Sequence, residues 1–590
     1  MNKPESPKWS KEFAKRWNAE TNTVFVLHGN IFDIFPVPVN DSGKFTYSSL
    51  KVFLARRLFN KRKSILFYDI CEGLSFASSD MQTDFMSWLS VRDEVEKTKY
   101  AINGPPKDFN LLAPILKGYF QAISTNKENG TGAILVINFP EKIVPASEES
   151  MASKEERQST VNILKWATSL EMRSWDVGIF LVAETLGEVN KDILSNPYVA
   201  QIEIGLPGEA ERISYLETEW SDKADFKATL KKGGIEFEDL GKRTSGLNLI
   251  RLKNLILEAV HNDIQITPEY IAMSKKRLIE EFCQGLVKFK EPVTGRSLDM
   301  VATHKAAKEK LKELVWLIKN GKGDVMEKGV LIPGRIGVGK SWLVDCFASE
   351  CGLPVLEMGE FRSKWVGDTE SQQAKILLTL KALGPVIVVV DEADQVFGSS
   401  RDQSSGDSGV SGRVFAAFAA HIGDSSLRGR ELWFAMTSRP DLLAIDMKRQ
   451  GRFGLCIPLF PSQNAEEVKE LFVKVSGSKG LTLSSEALNH IIRTMGDKEM
   501  TGSEVESIVV RAMEAAVLSG RDKKEVSTED FKKAADDFID SLDPNVIELQ
   551  IVAGVVSCSD KRFLPNRFTM VDMSHWHERF EELKLKAGKK

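Results

Sequence analysis

The sequence predicts an α/β protein with two tandem modules, each a parallel-sheet α/β domain followed by a small helical lid. Apolar, strand-like runs alternate with longer helical patterns, as in sheets whose parallel strands are joined by helices. Segments of the second half resemble segments of the first half. A chain of 590 residues is too long for one hydrophobic core, so several folding units are expected.

Two pairs of similar segments indicate that the module is duplicated. IEIGLPGEAERISYLE (202–217) resembles LCIPLFPSQNAEEVKELF (455–472), in which a strand, a proline break and a helix follow one another. TSGLNLIRLKNLILEAV (244–260) resembles MTGSEVESIVVRAMEAAV (500–517). Because both pairs are separated by nearly the same length of chain, chance similarity is disfavoured. The repeated unit is too large for a solenoid.

These patterns divide the chain into two α/β domains, their two lids and an appendix. The predicted ranges are 1–207 and 208–290 for the first module, 291–460 and 461–541 for the second, and 542–590 for the C-terminal appendix. The predicted strands are 64–70, 131–139, 177–183 and 199–206, then 329–332, 354–358, 385–390, 432–437 and 455–460. In the second lid, Ser503 and Glu506 are expected to form a capping box.

Composition disfavours several other classes of protein. Lys and Arg number 79 against 83 Asp and Glu, whereas nucleic-acid-binding proteins usually carry a basic excess. The start of the chain is polar, and no apolar run approaches the ~20 residues of a membrane span. The six cysteines are scattered and the histidines lack metal-ligand spacing, so we expect a cytoplasmic protein with reduced thiols.

The strongest local motif is GRIGVGKS (334–341), which fits the phosphate-loop pattern G-x-x-x-x-G-K-[ST]. It follows an apolar strand and precedes a predicted helix at 342–349. Backbone N–H groups and a helix N-terminus can then surround phosphates. We expect Lys340 to reach the β- and γ-phosphates of ATP and Ser341 to ligate Mg²⁺. The predicted nucleotide-binding residues here are Gly334, Arg335, Ile336, Gly337, Val338, Gly339, Lys340, Ser341 and Trp342.

An acidic pair ends the apolar strand in PVIVVVDEAD (385–394). Asp391 is expected to hold Mg²⁺ through water, as the aspartate of a Walker-B strand does. Glu392 is expected to activate the attacking water as a general base. Behind a phosphate loop, this pair predicts ATP hydrolysis.

These motifs resemble the AAA branch of the AAA+ ATPases over about 298–539. MTSRPDLLAIDMKRQGRF (436–453) resembles the family's second region of homology. The resemblance implies that Arg449 and Arg452 act as arginine fingers in the neighbouring subunit, although surface solvation or an internal ion pair is the alternative. It also implies that Ser438 is sensor 1. The family usually has Asn there, and the shorter Ser arm predicts slow or partner-dependent hydrolysis.

Two further segments carry the resemblance. MTGSE (500–504) resembles the lid segment at the adenine and ribose, which implies nucleotide contacts for Gly502 and Ser503. KWVGDTE (364–370) resembles the first pore loop. The residues implied to contact a polypeptide client are Lys364, Trp365 and Val366.

The segment 398–418 resembles the corresponding segment of one subgroup of the family. This subgroup is the tandem AAA proteins of cyanobacteria and plastids, in which the first module is degenerate. The related sporulation-stage and vacuolar-sorting ATPases share much of this core. HGNIFDIF (28–35) resembles a segment of those degenerate modules. Where we expect a phosphate loop after 64–70, the chain reads CEGLSFASSD, with no Lys. Asn138 and Phe139 replace the acidic pair, although an unrelated α/β domain is the alternative interpretation.

Three functions follow as hypotheses. The favoured one is an ATP-hydrolysing motor that remodels or threads protein clients. The resemblance implies that this motor is a homo-oligomeric, hexameric ring. The alternative is an ATP-gated scaffold or switch whose nucleotide state controls assembly with a partner, without threading. A nucleic-acid motor is disfavoured by the charge balance. The sequence does not identify the client.

Overall fold

The computed structural model describes residues 4–39, 43–125, 131–146, 152–293, 295–359, 369–398, 408–539 and 543–587. The chain divides into two compact units. One comprises Met1–Cys283 with Gly367–Leu383, and the other Gln284–Val366 with Gly384–Lys590. Within the described ranges, no helix combines the length and the apolar character that crossing a bilayer requires.

The elements of residues 4–283 are short strands and helices in alternation. The strands are β1 (Val24–Gly29), β2 (Ile34–Val39), β3 (Lys44–Ser49), β4 (Arg62–Asp69), β5 (Gly73–Phe76), β6 (Thr131–Asn138), β7 (Val177–Ala183) and β8 (Val199–Ile204). The helices are α1 (Lys8–Asn18), α2 (Leu50–Phe53), α3 (Ser79–Glu96), α4 (Tyr100–Asn103), α5 (Phe109–Thr125), α6 (Lys154–Thr168), α7 (Leu170–Ser174), α8 (Lys191–Leu194), α9 (Glu209–Trp220), α10 (Ala224–Gly233), α11 (Phe237–Arg243), α12 (Leu249–His261) and α13 (Pro268–Phe282).

The remaining elements repeat this alternation. The strands are β9 (Val287–Lys290), β10 (Gly329–Pro333), β11 (Val355–Met358), β12 (Val386–Val390), β13 (Glu431–Thr437) and β14 (Leu455–Cys456). The helices are α14 (Lys305–Lys319), α15 (Lys340–Cys351), α16 (Thr369–Leu383), α17 (Ala393–Val396), α18 (Ser408–Gly423), α19 (Ala465–Ser478), α20 (Ser485–Met495), α21 (Gly502–Leu518), α22 (Thr528–Asp536), α23 (Pro544–Ser557), α24 (Asn566–Thr569) and α25 (Met573–Ala587). Of these, α16 belongs to the first unit.

The sheet of the first unit has the strand order β5-β4-β6-β7-β1-β8. Its neighbouring strands are parallel except for β4 and β5. Both faces are buried: Val24 and Val26 of β1 belong to one hydrophobic core, and Phe25 and Leu27 belong to the other. Burial on both faces explains why this strand is a continuous apolar run rather than an alternating one.

The sheet of the second unit has the order β14-β10-β13-β12-β11-β9, and only β9 runs antiparallel to its neighbour. Thus β10 lies between β14 and β13, just as β1 lies between β8 and β7. Each sheet is followed by helices, α9–α13 in the first unit and α19–α22 in the second. The shared strand order confirms the predicted pair of tandem modules with parallel sheets.

The strand order corrects one prediction about the first module. CEGLSFASSD (71–80) is not at the phosphate-loop position, because it contains the antiparallel strand β5, which is hydrogen-bonded to β4, and the start of α3. The counterpart of the phosphate-loop strand is β1, so the degenerate loop begins at Gly29, within HGNIFDIF. The prediction was wrong because the position of a strand in a sheet depends on long-range pairing, which local sequence does not contain.

Local details also differ from the sequence-based expectations. Of the strand expected at 455–460, only β14 (Leu455–Cys456) is regular, although the N–H groups of Ile457 and Leu459 still donate to the carbonyl oxygens of Leu331 and Pro333 in β10. Strands β1, β2, β3, β5 and β9 were not predicted. The capping box of α21 is formed by Thr501 and Glu504, two residues earlier than the expected pair. Val505, Ile508, Val509 and Ala512, which are spaced to lie on one face of this helix, are buried in the lid core.

Candidate nucleotide-binding site

The phosphate loop connects β10 to α15. Gly339 is the N-cap of α15 and has a φ of 91°. Gly337 has a φ of 87°, and a Cβ there would lie 1.9 Å from Ser503 Oγ. Both positions favour glycine because their φ angles are positive. At Gly337 a side chain would also clash with Ser503. The helix begins at Lys340, two residues before the predicted start, so its N-terminus faces the loop.

Lys340 and Ser341 lie at the first turn of α15. Lys340 Nζ donates hydrogen bonds to the carbonyl oxygens of Gly334 at 2.8 Å and Arg335 at 3.2 Å. Burial lowers the pKa of Lys340 to about 8, and the nearby Asp391 and Asp394 oppose that shift. This amine is therefore held over the loop, where phosphates are expected.

The acidic pair meets this turn at the end of β12. Ser341 Oγ donates to Asp391 Oδ2 over 3.4 Å, so a hydroxyl and a carboxylate converge. Two hard oxygen donors beside a phosphate loop fit Mg²⁺, which usually keeps several waters and phosphate oxygens in its octahedron. The described residues contain no cluster of three or more His, Cys, Asp or Glu that could hold a metal alone. Phosphate and water would have to complete the coordination.

Glu392 follows Asp391 in a left-handed conformation, with a φ of 45°. It is the N-cap residue of the short helix α17. Its carboxylate is exposed and accepts a hydrogen bond from Gln395 Nε2. The backbone thus turns sharply after the strand and leaves this carboxylate at the surface of the site, where it can accept a proton from water.

The predicted sensor lies directly after β13, the strand between β10 and β12. Thr437 Oγ1 donates to Asp394 and accepts the N–H of Arg439 at 2.8 Å. The N–H of Gly334 in turn donates to the Thr437 carbonyl at 3.1 Å. Ser438, which is half-buried, lies between Thr437 and Arg439 in the chain. Thr437 therefore secures the strand end, while Ser438 supplies the hydroxyl that follows it.

The two predicted arginine fingers lie on one exposed segment. Arg449 is 70% exposed and pairs with Asp446 at 3.1 Å. Arg452 donates to the Asp446 carbonyl at 2.8 Å. Among the contacts of the described residues, neither arginine reaches the phosphate loop of its own chain. An exposed pair such as Arg449–Asp446 contributes little to stability, about 0–1 kcal/mol, so this arginine is available to a neighbouring molecule.

The lid contacts the loop through the N-terminus of α21. The N–H of Ser503 donates to the Gly337 carbonyl at 3.1 Å, and Gly502 also lies beside that oxygen. Arg335, only 3% exposed, forms an ion pair with Glu504 at 2.6 Å. The loop and the lid are thus joined by backbone and by charge. The predicted pore-loop residues Lys364, Trp365 and Val366 lie outside the described residues.

His304 is a site residue that sequence reasoning missed. Thr303 and His304 both have positive φ, 56° and 49°, just before α14. His304 Nε2 donates to the carbonyl of Val338 in the phosphate loop at 3.1 Å. Burial lowers the pKa of His304 to about 4, so the imidazole is neutral at pH 7. The VATHK stretch offers no glycine or motif that could have indicated this contact.

Three family descriptions match the chain. Residues 2–205 match an AAA+ chaperone N-terminal Rossmann-like domain, and residues 210–284 match an AAA+ chaperone second helical domain. Residues 330–459, which contain the site, match the ATPase family associated with various cellular activities. This chain belongs to the AAA+ ATPases.

Relatives of this AAA+ protein include two ycf46 proteins and a cell division cycle protein 48 homolog. It is 27% identical over 306 residues to the uncharacterized AAA domain-containing protein ycf46 of Pyropia yezoensis, covering 51% of this chain and 60% of that protein. The ycf46 protein of Gracilaria tenuistipitata var. liui is 24% identical, covering 78% and 90%. The cell division cycle protein 48 homolog of Archaeoglobus fulgidus is 24% identical, covering 76% and 62%.

The first module of this AAA+ protein has a different group at its loop position. Asp33 is buried, and its carboxylate accepts hydrogen bonds from the N–H groups of Leu249 at 3.1 Å and Ile250 at 3.0 Å. Asn30 Nδ2 donates to it at 2.8 Å. Burial raises the pKa of Asp33, although these bonds oppose the shift. The carboxylate thus caps α12, the first-lid counterpart of α21.

Proposed function

We propose that the second module binds and hydrolyses Mg-ATP, and that subunits of this AAA+ protein form a hexameric ring that remodels or threads protein clients. The observation that carries the chemistry is the convergence of Lys340, Ser341 and Asp391 beside the phosphate loop. Family membership supports nucleotide binding in general. The hexamer and the client are supported by the resemblance in the pore-loop and finger segments and by the exposure of Arg449.

The hydrolytic step follows from the groups that surround the loop. Backbone N–H groups of the loop and Lys340 would hold the phosphates, and Ser341 with Asp391 would hold Mg²⁺. When bound, the ion supplies positive charge to the β- and γ-phosphate oxygens. Glu392 would accept a proton as water attacks the γ-phosphorus. The new O–P bond forms while the bond to the β,γ-bridging oxygen breaks, and ADP and phosphate leave.

A second function, an ATP-gated scaffold without threading, is favoured by Ser438. Its hydroxyl lies on a shorter arm than the Asn usual at sensor 1, so turnover would be slow and nucleotide occupancy long. In that case the nucleotide state would control assembly with a partner.

The cytoplasmic location predicted from the sequence is also a proposal, because two relatives named FTSH 1 are described as chloroplastic.

A mixing experiment tests the hydrolytic site and the ring together. Glu392→Gln should bind ATP and hydrolyse it at least ~100-fold more slowly, within the range for a general base. Arg452→Ala should also be inactive. Mixed rings contain interfaces that join an intact base to an intact finger, so mixing the two variants should restore part of the ATPase rate.

The outcome separates the two parts of the proposal. A normal ATPase rate in Glu392→Gln would reject the hydrolytic assignment. If both variants are inactive and verified co-assembly restores nothing, Arg452 does not act in a neighbouring subunit. Detection of a polypeptide in the pore of the ATP-bound Glu392→Gln ring would favour threading over the scaffold.

A further inference from the structure

The C-terminal hairpin, defined as α23–α25, packs into the second unit. Phe563, which lies between its helices and is 7% exposed, belongs to the same hydrophobic core as Val330 and Ile332 of the phosphate-loop strand β10. Phe568 contacts Phe460 with ring centroids 5.1 Å apart. These contacts make the hairpin part of the core that supports the loop, whereas the sequence predicted only a C-terminal appendix.

A single polar side chain of the hairpin reaches the phosphate loop. Gln550 is 5% exposed and follows Leu549, in a helix whose other buried positions are apolar or glycine. Its Oε1 accepts the backbone N–H of Ile336 at 3.3 Å. Burying an amide among apolar side chains costs free energy unless the amide is hydrogen-bonded. The bond that satisfies the Gln550 oxygen is the one to the loop.

The same hairpin also contacts the lid and the sheet edge. Arg567 of α24 forms an ion pair with the Glu499 side chain, and the Glu499 carbonyl accepts a hydrogen bond from Arg335 of the loop. Ser559 Oγ accepts the N–H of Cys456 in β14 at 2.9 Å. The hairpin therefore contacts the phosphate loop, the lid segment before α21 and the edge strand β14.

We propose that Gln550 is a positioning residue of the nucleotide site, and that the C-terminal hairpin holds the phosphate loop in its binding conformation. This inference rests on the proposed nucleotide binding by the second module. Gln550 fixes the peptide at Ile336, three residues before Gly339, the N-cap of α15, so the N–H groups that follow in the loop keep a fixed direction. A neutral amide suits this place, because a carboxylate would add negative charge beside phosphates.

Nucleotide titration of the full-length chain tests this role. Gln550→Met keeps the length of the side chain but removes the acceptor. We expect the Kd for MgADP to rise about 3- to 10-fold, the loss of one ordinary hydrogen bond. Gln550 touches no reacting atom, so the KM for ATP should rise by a similar factor while kcat changes little. Gln550→Glu keeps an acceptor, and its charge should weaken ATP binding more than adenosine binding.

The matched control is Arg579→Met, which removes the Arg579–Glu548 ion pair within the hairpin and leaves the loop contact intact. It should bind MgADP as the wild type does. Equal Kd values of the wild type and Gln550→Met for MgADP would overturn the inference. It would also be overturned if Gln550→Met and Arg579→Met lost MgADP affinity to the same extent and both had a lowered Tm. If the wild type itself binds no more MgADP than Lys340→Ala, the proposed function fails instead.

Discussion

The two modules share a backbone conformation where their chemistry differs. Glu392 follows β12 with a φ of 45°, and Phe139 follows β6 with a φ of 53°. Each is the N-cap of a short helical turn, α17 in one module and Pro140–Lys142 in the other. The first module thus keeps the sharp turn on which Glu392 lies in the second module, but the residue at that turn is Phe139, which is 46% exposed. Fold and chemistry have separate requirements, so one persists without the other.

The junction between loop and lid differs as well. In the second module, the Ser503 N–H donates to a loop carbonyl, and Arg335 pairs with Glu504. In the first, the Asp33 carboxylate occupies the N-terminus of the lid helix α12. A helix N-terminus favours an anion. The first module places a carboxyl group of its own chain at this helix N-terminus, where its oxygens accept the N–H groups of Leu249 and Ile250.

The largest expected effect is on the number of nucleotides bound per chain, which distinguishes the two modules. Lys340→Ala should abolish binding, because the loop loses the charge that faces the β- and γ-phosphates. The first module has a pocket that is lined by Phe32, Lys51 and Phe139. The matched change Lys51→Ala removes the lysine of that pocket. It should leave one nucleotide bound per chain with unchanged affinity, as measured by calorimetry. Two sites per chain, or a site that survives Lys340→Ala, would show that the first module also binds nucleotide.

The next effect concerns the stability of the first lid. Asp33→Ala should lower the free energy of unfolding of the first unit by about 3 kcal/mol, because buried N–H groups lose their acceptor. Amide hydrogen exchange across α12 should accelerate. Ser153→Ala, which removes the exposed cap of α6, should cost only about 1 kcal/mol. MgADP affinity should stay unchanged in both variants. Equal costs for the two changes would mean that Asp33 is an ordinary cap.

The smallest effect is a pH response of the second module. The pKa of His304 is lowered to about 4 in the folded chain, against about 6.5 when unfolded. The unfolded chain therefore takes up this proton first, and the stability contributed by His304 is lost as the pH falls from 6.5 to 4. Burial raises the pKa of Asp33 in the folded chain, so the first module does not lose stability through Asp33 as the pH falls.

Urea unfolding at pH 7, 6 and 5 measures this response. His304→Asn keeps a residue that tolerates positive φ and removes the titrating imidazole. Its loss of stability between pH 7 and 5 should be smaller than that of the wild type. Parallel pH dependence in the two proteins would show that the imidazole is not kept neutral by burial.

Local sequence was sufficient for the parts of the site that lie within one stretch of chain. The loop from Gly334 to Ser341 and the strand that leads to Asp391 each depend on consecutive residues, whose sterics and polarity act over a few positions. The repeat was also visible, because similar segments recur in both halves. The strand order, the true loop position at Gly29 and the cap from Asp33 to α12 were not visible locally.

Those features, with His304 and Gln550, depend on contacts between residues far apart in sequence. Nothing within VATHK or in the helix around Gln550 distinguishes a residue that touches a phosphate loop from one that does not. The sequence by itself determined the module type and the phosphate chemistry, since both are written in short-range patterns. The tertiary structure decided which strand is central and which side chains hold the loop, because pairing and packing over long distances are set only when the whole chain folds.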